Sequence, residues 1–232
     1  MKNLIFGLGL VSCVLTGCAS IPDQNIVGNL ASYKQVKHLV INKNPLFETW
    51  MSGDEKRGLR DIQKIIENSK SEEAWVYSPE KKLWIEVGKK EKSQEVCIDN
   101  NLMRRLMAYY NKINLYHTHP SNNDYRDVKE MFANCMPAKN DLYYMIFWSL
   151  KFREINPGGK LKCGVCSDIG VVEYSLTERG IKYFFDNNLM INFEKAAVRK
   201  EYGNRAYFSS NNIEELCKKL SDENIVMKFV EY

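Results

Sequence analysis

Histidine is scarce in this chain, with three residues in 232. The net charge is only +4 and no dense Lys/Arg stripe runs along the sequence, so nucleic acid is not indicated as a partner. No internal repeat or low-complexity block is visible. No long apolar run occurs either. The one near the N-terminus, residues 4–14, is too short to cross a bilayer. Apolar and charged residues make up 44% and 27%, the fractions of an ordinary globular protein. The length suits one α/β domain with a sizeable core and some additions.

That short apolar run has an ordered context. Met1-Lys2-Asn3 gives a positive start, and the run ends in Leu15-Thr16-Gly17-Cys18. This resembles the lipobox of bacterial lipoproteins. The resemblance implies that residues 1–17 are a signal peptide, cleaved just before Cys18. It also implies acylation of Cys18, which makes the lipid bilayer a partner. Two or three acyl chains anchor stably where one is marginal. Ala19 follows the cysteine, which by the same resemblance points to the outer membrane, facing periplasm or cell surface. Residues 18–45 then read as a lipidated tether, 46–185 as the main domain and 186–232 as a C-terminal α/β extension.

Two of the histidines lie one residue apart, in His117-Thr118-His119-Pro120. Residues 112–115 alternate polar and apolar, as strands do. In a strand, residues i and i+2 share a face, so both imidazoles can reach one point. Pro120 ends the strand because it cannot donate to a ladder. Two imidazoles at a strand end make half of a zinc site. A carboxylate and an open position for water would complete it. Asp141 begins the strongly apolar run 142–148, which reads as a buried helix. Asp124 is the alternative carboxylate, in Ser121-Asn122-Asn123-Asp124.

This pattern resembles the JAMM (MPN-type) zinc metalloproteases, whose signature is an upstream Glu, then H-x-H-P, then S-x-x-D opening a helix. His117, His119, Pro120 and Asp141 match it. Ser121 extends the match toward the RadC-like and bacterial toxin-associated branches. The resemblance spans roughly residues 70 to 185, a domain-sized stretch. It implies a JAMM/MPN-like (cytidine-deaminase-like) α/β fold, a mixed sheet flanked by helices. It implies a zinc cofactor on His117, His119 and Asp141, and a peptide or protein substrate. The chain departs from the pattern twice. Ala138 stands where the family has the serine that donates to the oxyanion. The loop between His119 and Asp141 is about a dozen residues longer than usual, beyond ordinary loop lengths. Val128, Met131, Phe132 and Cys135 in that loop have helical spacing, and Asp124 could cap such a helix. It would either cover the core or wall the substrate groove.

The resemblance also implies a general base on an earlier strand. Residues 74–77 and 83–87 read as the arms of a hairpin. Glu72 has the family phase, two residues before a small residue, and Glu73 is the runner-up. Adjacent strand residues face opposite sides, so one of the two at most points at the metal. The implied chemistry is hydrolysis of an amide or isopeptide bond, with the glutamate as base toward a metal-activated water and then as acid toward the leaving amine. A catalytically weak or inactive binding module is the second reading. Ala138 in place of serine is what raises it.

Cysteine accounts for seven residues. Cys13 would leave with the signal and Cys18 would carry lipid. Cys97, Cys135, Cys163, Cys166 and Cys217 remain, in a compartment where disulfides are expected. Cys163-Gly164-Val165-Cys166 admits a redox or zinc-knuckle reading, the former making the chain a redox lipoprotein. No thioredoxin-like context or second C-x-x-C accompanies it, and a late hairpin, 160–166 with 171–176, is the favoured reading. Helices are expected after Asp54, with Leu59, Ile62, Ile65 and Ile66 on one face, and at 101–110 and 212–220. A last strand is expected at 224–230.

Overall fold

The computed structural model describes residues 50–69, 71–89, 96–120, 125, 128–186 and 212–232. The expected signal peptide and tether, with Cys18, and also Ser121 and Asp124, lie outside the described residues. In chain order the elements are β1 (Trp50–Ser52), α1 (Glu55–Asn68), β2 (Glu73–Ser78), β3 (Leu83–Lys89), β4 (Cys97–Ile98), α2 (Asn100–Tyr109) and β5 (Lys112–Thr118). Then come α3 (Val128–Cys135), α4 (Lys139–Ile155), β6 (Lys160–Cys166), β7 (Val171–Leu176), α5 (Glu178–Asp186), α6 (Ile213–Leu220) and β8 (Ile225–Val230).

All the strands join one mixed sheet, in the order β1-β3-β2-β5-β6-β7-β8, with β4 also on β3. Among the described strands, only β5 and β6 pair in parallel. A parallel pair needs a crossover, and α3 with α4 supplies it. The architecture is therefore mixed α/β, a sheet flanked by helices.

Local chemistry sets most of the boundaries. Asp54 caps α1, its carboxylate accepting the Arg57 N–H at 2.8 Å. Leu59, Ile62 and Ile66 recur at helical spacing and are buried. Asp99 and Asn212 cap α2 and α6 in the same way. The β6–β7 hairpin turns at Gly170, whose φ of 154° disfavours any side chain. A Cβ there would also lie 2.4 Å from the Phe229 ring.

The sheet buries both faces, unequally. One face carries Ala74, Val76, Ile113, Leu115 and Val165 and packs on α2, α4 and α6 in the main core. Helix α4 is buried widely, through Leu142, Met145, Ile146, Trp148 and Phe152. It lies on β6 and against α2 and α5. The other face holds a smaller cluster under α1, with Trp75, Tyr77, Trp84 and Tyr116. Gly58 lets α1 approach closely, since a Cβ there would sit 2.1 Å from Trp84 Nε1.

Residues 212–232 extend this same sheet. Strand β8 pairs with β7, and Ile213, Leu216, Ile225 and Met227 are buried in the main core. Three elements have no counterpart in the sequence reading: α5, β1 and β4. The two strands span only Trp50–Ser52 and Cys97–Ile98, too short to show a period. Exposed Val128 also departs from the expected buried face of α3.

The expected disulfides are not formed. Cys97, Cys135, Cys163, Cys166 and Cys217 are all free thiols. Cys163 and Cys166 lie three positions apart on β6, hence on opposite sheet faces, one in each core cluster. They cannot bridge each other, so the C-x-x-C is a strand of the β6–β7 hairpin. Among the described residues no helix is long and apolar enough to cross a membrane.

Candidate metal centre

His117 sits near the C-terminal end of β5, in register with Val165 of the parallel neighbour. Pro120 ends the strand, yet His119 keeps the extended path, because its N–H donates to the Cys166 carbonyl at 2.8 Å. The two-residue period therefore continues past the strand end and both rings share a face. Their centroids are 4.9 Å apart, with planes at 67°. That face is the main-core face, where α4 begins.

Asp141 lies in the first turn of α4. Its Oδ2 accepts the Ala138 N–H at 2.6 Å, reaching back across the helix start. This is half of a capping box, since Ala138 has no side-chain oxygen to complete it. The back-bond turns the carboxylate toward the histidines. Asp141 Oδ1 lies 3.4 Å from His117 Nε2, and Oδ2 lies 4.0 Å from His119 Nε2. The two Nε2 atoms are 3.1 Å apart.

His117, His119 and Asp141 thus form a group that could hold a metal ion, with one donor atom from each inside a 4.8 Å span. Donors bound tetrahedrally at ~2.0–2.1 Å are separated by about 3.3 Å. The observed separations bracket that value. The donor set, two imidazoles and a carboxylate, suits zinc among other divalent ions.

The ring tautomer is fixed on one side. His119 Nδ1 donates to the Asn134 carbonyl at 2.7 Å, which leaves Nε2 as the lone-pair donor toward the group. Asn134 lies in the last turn of α3, where helix carbonyls lack intrahelical partners. Its side-chain amide donates to the Tyr125 hydroxyl at 2.7 Å. The sequence reading offered α3 as a cover for the core or a groove wall. The structure adds a third role, support of His119. A backbone carbonyl leaves no residue signature, so only the length of the loop hinted at it.

Charge is shared unevenly. Burial pushes the His117 pKa down, but the adjacent Asp141 carboxylate, with Glu72 adding to it, more than offsets this and the net shift is upward. Burial and the charge of His117 hold His119 down at about 4. Burial raises Asp141, but His117 outweighs it and the carboxyl ends below its usual range. The carboxylate thus favours positive charge at His117, while His119 resists a proton.

Glu72 belongs to this neighbourhood. It immediately precedes β2, and its Oε2 accepts the Val96 N–H at 3.1 Å. Glu73 is placed differently. Its N–H donates to Thr118 Oγ1 at 2.8 Å, tying the start of β2 to the end of β5. Ala138 is exposed and extended at the N-cap of α4, with no side-chain donor. Asn140 beside it is exposed. Comparison with protein-family models, with curated proteins and with solved structures returned no match for this chain.

Proposed function

We propose that this chain is a JAMM-type zinc-dependent peptidase or isopeptidase, anchored in the bacterial envelope through acylated Cys18. The observation that carries the reading is the convergence of His117, His119 and Asp141 at the meeting of β5 and α4, with Glu72 beside them. His117, His119 and Asp141 would hold the zinc, which would supply a water acidified to a pKa of about 7 and polarisation of the substrate carbonyl. Glu72 then serves as general base toward the attacking water and as acid toward the departing amine. The Val96 N–H steadies its carboxylate. His119 is held by Asn134, and Asp141 by Ala138, so the ligand atoms are positioned before anything binds. The substrate is a peptide or protein.

A second reading, a binding module that keeps the site without turnover, is favoured by one observation. The N-cap of α4 is Ala138, which offers no hydroxyl.

Elemental analysis of purified protein tests the metal. The expected result is one zinc per chain, lost in the His119→Ala, Asp141→Ala double variant. Stoichiometric zinc in that variant would refute the ligand assignment. Turnover of isopeptide-linked and linear peptides by the zinc protein then separates enzyme from binding module. Lipid labelling that disappears in Cys18→Ala supports the anchor, and unchanged labelling would reject it.

A further inference from the structure

Three contacts close a ring around His119. Its backbone N–H donates to the Cys166 carbonyl at 2.8 Å. The next residue along, Ser167, has its Oγ hydrogen-bonded to Cys135 Sγ at 2.9 Å. Cys135 in turn follows Asn134, whose carbonyl accepts the His119 Nδ1–H at 2.7 Å. The first and third links use backbone carbonyls that any residue would carry. The Cys135–Ser167 link is the one made wholly of side chains.

Both of its partners are fully buried, at 0% exposure. A hydroxyl in such a place is costly unless it is bonded. Ser167 is bonded through backbone and side chain alike. Its N–H and its hydroxyl both donate to the Gly170 carbonyl, at 2.9 and 3.0 Å. Its own carbonyl accepts the Tyr232 hydroxyl at 2.6 Å. The serine is thus a fixed point of the β6–β7 turn, and the Cys135 thiol docks on it.

Helix α3 needs such a fixed point. Val128 and Ala133 are exposed and Met131 and Phe132 are half-buried, so the last turn, with Cys135, is the part set deepest in the core. Apolar packing is non-directional and leaves the rotation of that turn loosely set. A hydrogen bond is directional. It sets where the Asn134 carbonyl points, and that carbonyl sets which His119 nitrogen keeps its lone pair. Asn134 and His119 are 15 residues apart in the chain, so local backbone geometry does not fix their meeting.

We propose that Cys135 and Ser167 are positioning residues of the metal centre. Their bond locks the end of α3 onto the β6–β7 turn. Through Asn134 it holds His119 with Nε2 facing His117 and Asp141. The proposal rests on the ligand assignment of those three residues, and adds two residues that lie outside the ligand set.

Two measurements on the full chain test it: zinc affinity by competition with a chelating dye, and imidazole nitrogen NMR of the metal-free protein at pH 8. Ser167→Ala and Cys135→Val should each weaken zinc binding by about 10–100-fold, the usual worth of a group that orients a ligand. Cys135→Ser keeps a hydrogen-bonding group and should stay within a few-fold of wild type. The Ser167→Ala, Cys135→Val double variant should bind about as weakly as either single one, because one bond is lost in all three. In the wild type His119 should carry its proton on Nδ1. In Ser167→Ala part of that signal should move to Nε2. Ile62→Val, in the cluster under α1, is the control. It should lower the melting temperature and leave zinc affinity unchanged. Equal loss of affinity in Ile62→Val would reduce the effect to general loosening and overturn the proposal. So would equal losses in Cys135→Val and Cys135→Ser. Zinc lost in His119→Ala but held at wild-type affinity in Ser167→Ala would sink this proposal alone. Zinc absent from the wild type would sink the ligand assignment and this proposal together.

Discussion

Ala74 stands directly across the β2–β5 ladder from His117. Directly opposed residues of an antiparallel pair project to the same face. Glu72 is two residues before Ala74, so the strand period puts it in phase with His117, and it puts Glu73 out of phase. The backbone of Glu73 is tied to Thr118, whose side chain belongs to the opposite face. One register therefore sends two adjacent carboxylates to opposite faces of the sheet.

Glu72→Gln should lower turnover by about 10²–10⁴, the usual worth of a general base. Metal content should stay at the wild-type level, because Glu72 is not among the ligands. Glu73→Gln should leave turnover within a few-fold of wild type. Steady-state assays on an isopeptide substrate, with elemental analysis of each variant, give both readouts. The reverse pattern would make Glu73 the base.

The N-terminus of α4 supports a second prediction. The Ala138 N–H is committed to Asp141, so it is not spare for an oxyanion. Ala138→Ser should raise turnover by up to ~10²–10³, the worth of one oxyanion donor. A serine N-cap should also stabilise the helix by about 1 kcal/mol. Kinetics and thermal melts read the two effects apart. Stabilisation without a rate gain would mean that the new hydroxyl only caps the helix and that another donor already serves the reaction.

The thiols should be nearly inert in the folded state. Burial raises Cys135 to about 12 and Cys217 to about 11. Burial also raises Cys163 and Cys166. At pH 8, a maleimide should label partly exposed Cys97 first and these four only after unfolding. Mass mapping of the labelled sites is the check. Rapid native labelling of Cys163 and Cys166 would revive the redox reading.

Acid stability should depend on Glu173. This buried carboxylate meets Lys162 and Lys228 and lies 2.8 Å from the Tyr116 hydroxyl. Burial raises its pKa, but the contacts with Lys162, helped by Lys228 and Tyr116, win and hold it below the ordinary 4.5. A depressed folded pKa means that the stabilisation is complete above the unfolded value. It is lost as pH falls through the folded one. Glu173→Gln should therefore unfold more easily at pH 7, by roughly 1.5–3 kcal/mol, the worth of hydrogen bonds to a charged group. Below pH 4.5 the gap between variant and wild type should narrow, as urea melts across pH would show. A gap that stays constant down to pH 2 would contradict this.

Much of the scaffold was legible because its determinants are local. Asp54, Asp99 and Asn212 mark helix starts by their own side chains. The period of two around His117 held, and residues 160–166 and 171–176 formed the expected hairpin. The pairing of His117 with His119 also followed from strand geometry alone. What the sequence could not supply were facts about distance between elements. Asp141 reaches the histidines only because α4 starts where β5 ends, and its angle depends on an Ala138 backbone N–H. Asn134 holds His119 by a carbonyl that any residue would carry. Side-chain identity and spacing determine what each segment can do. Which backbone groups meet across segments is decided only when the sheet and its helices pack.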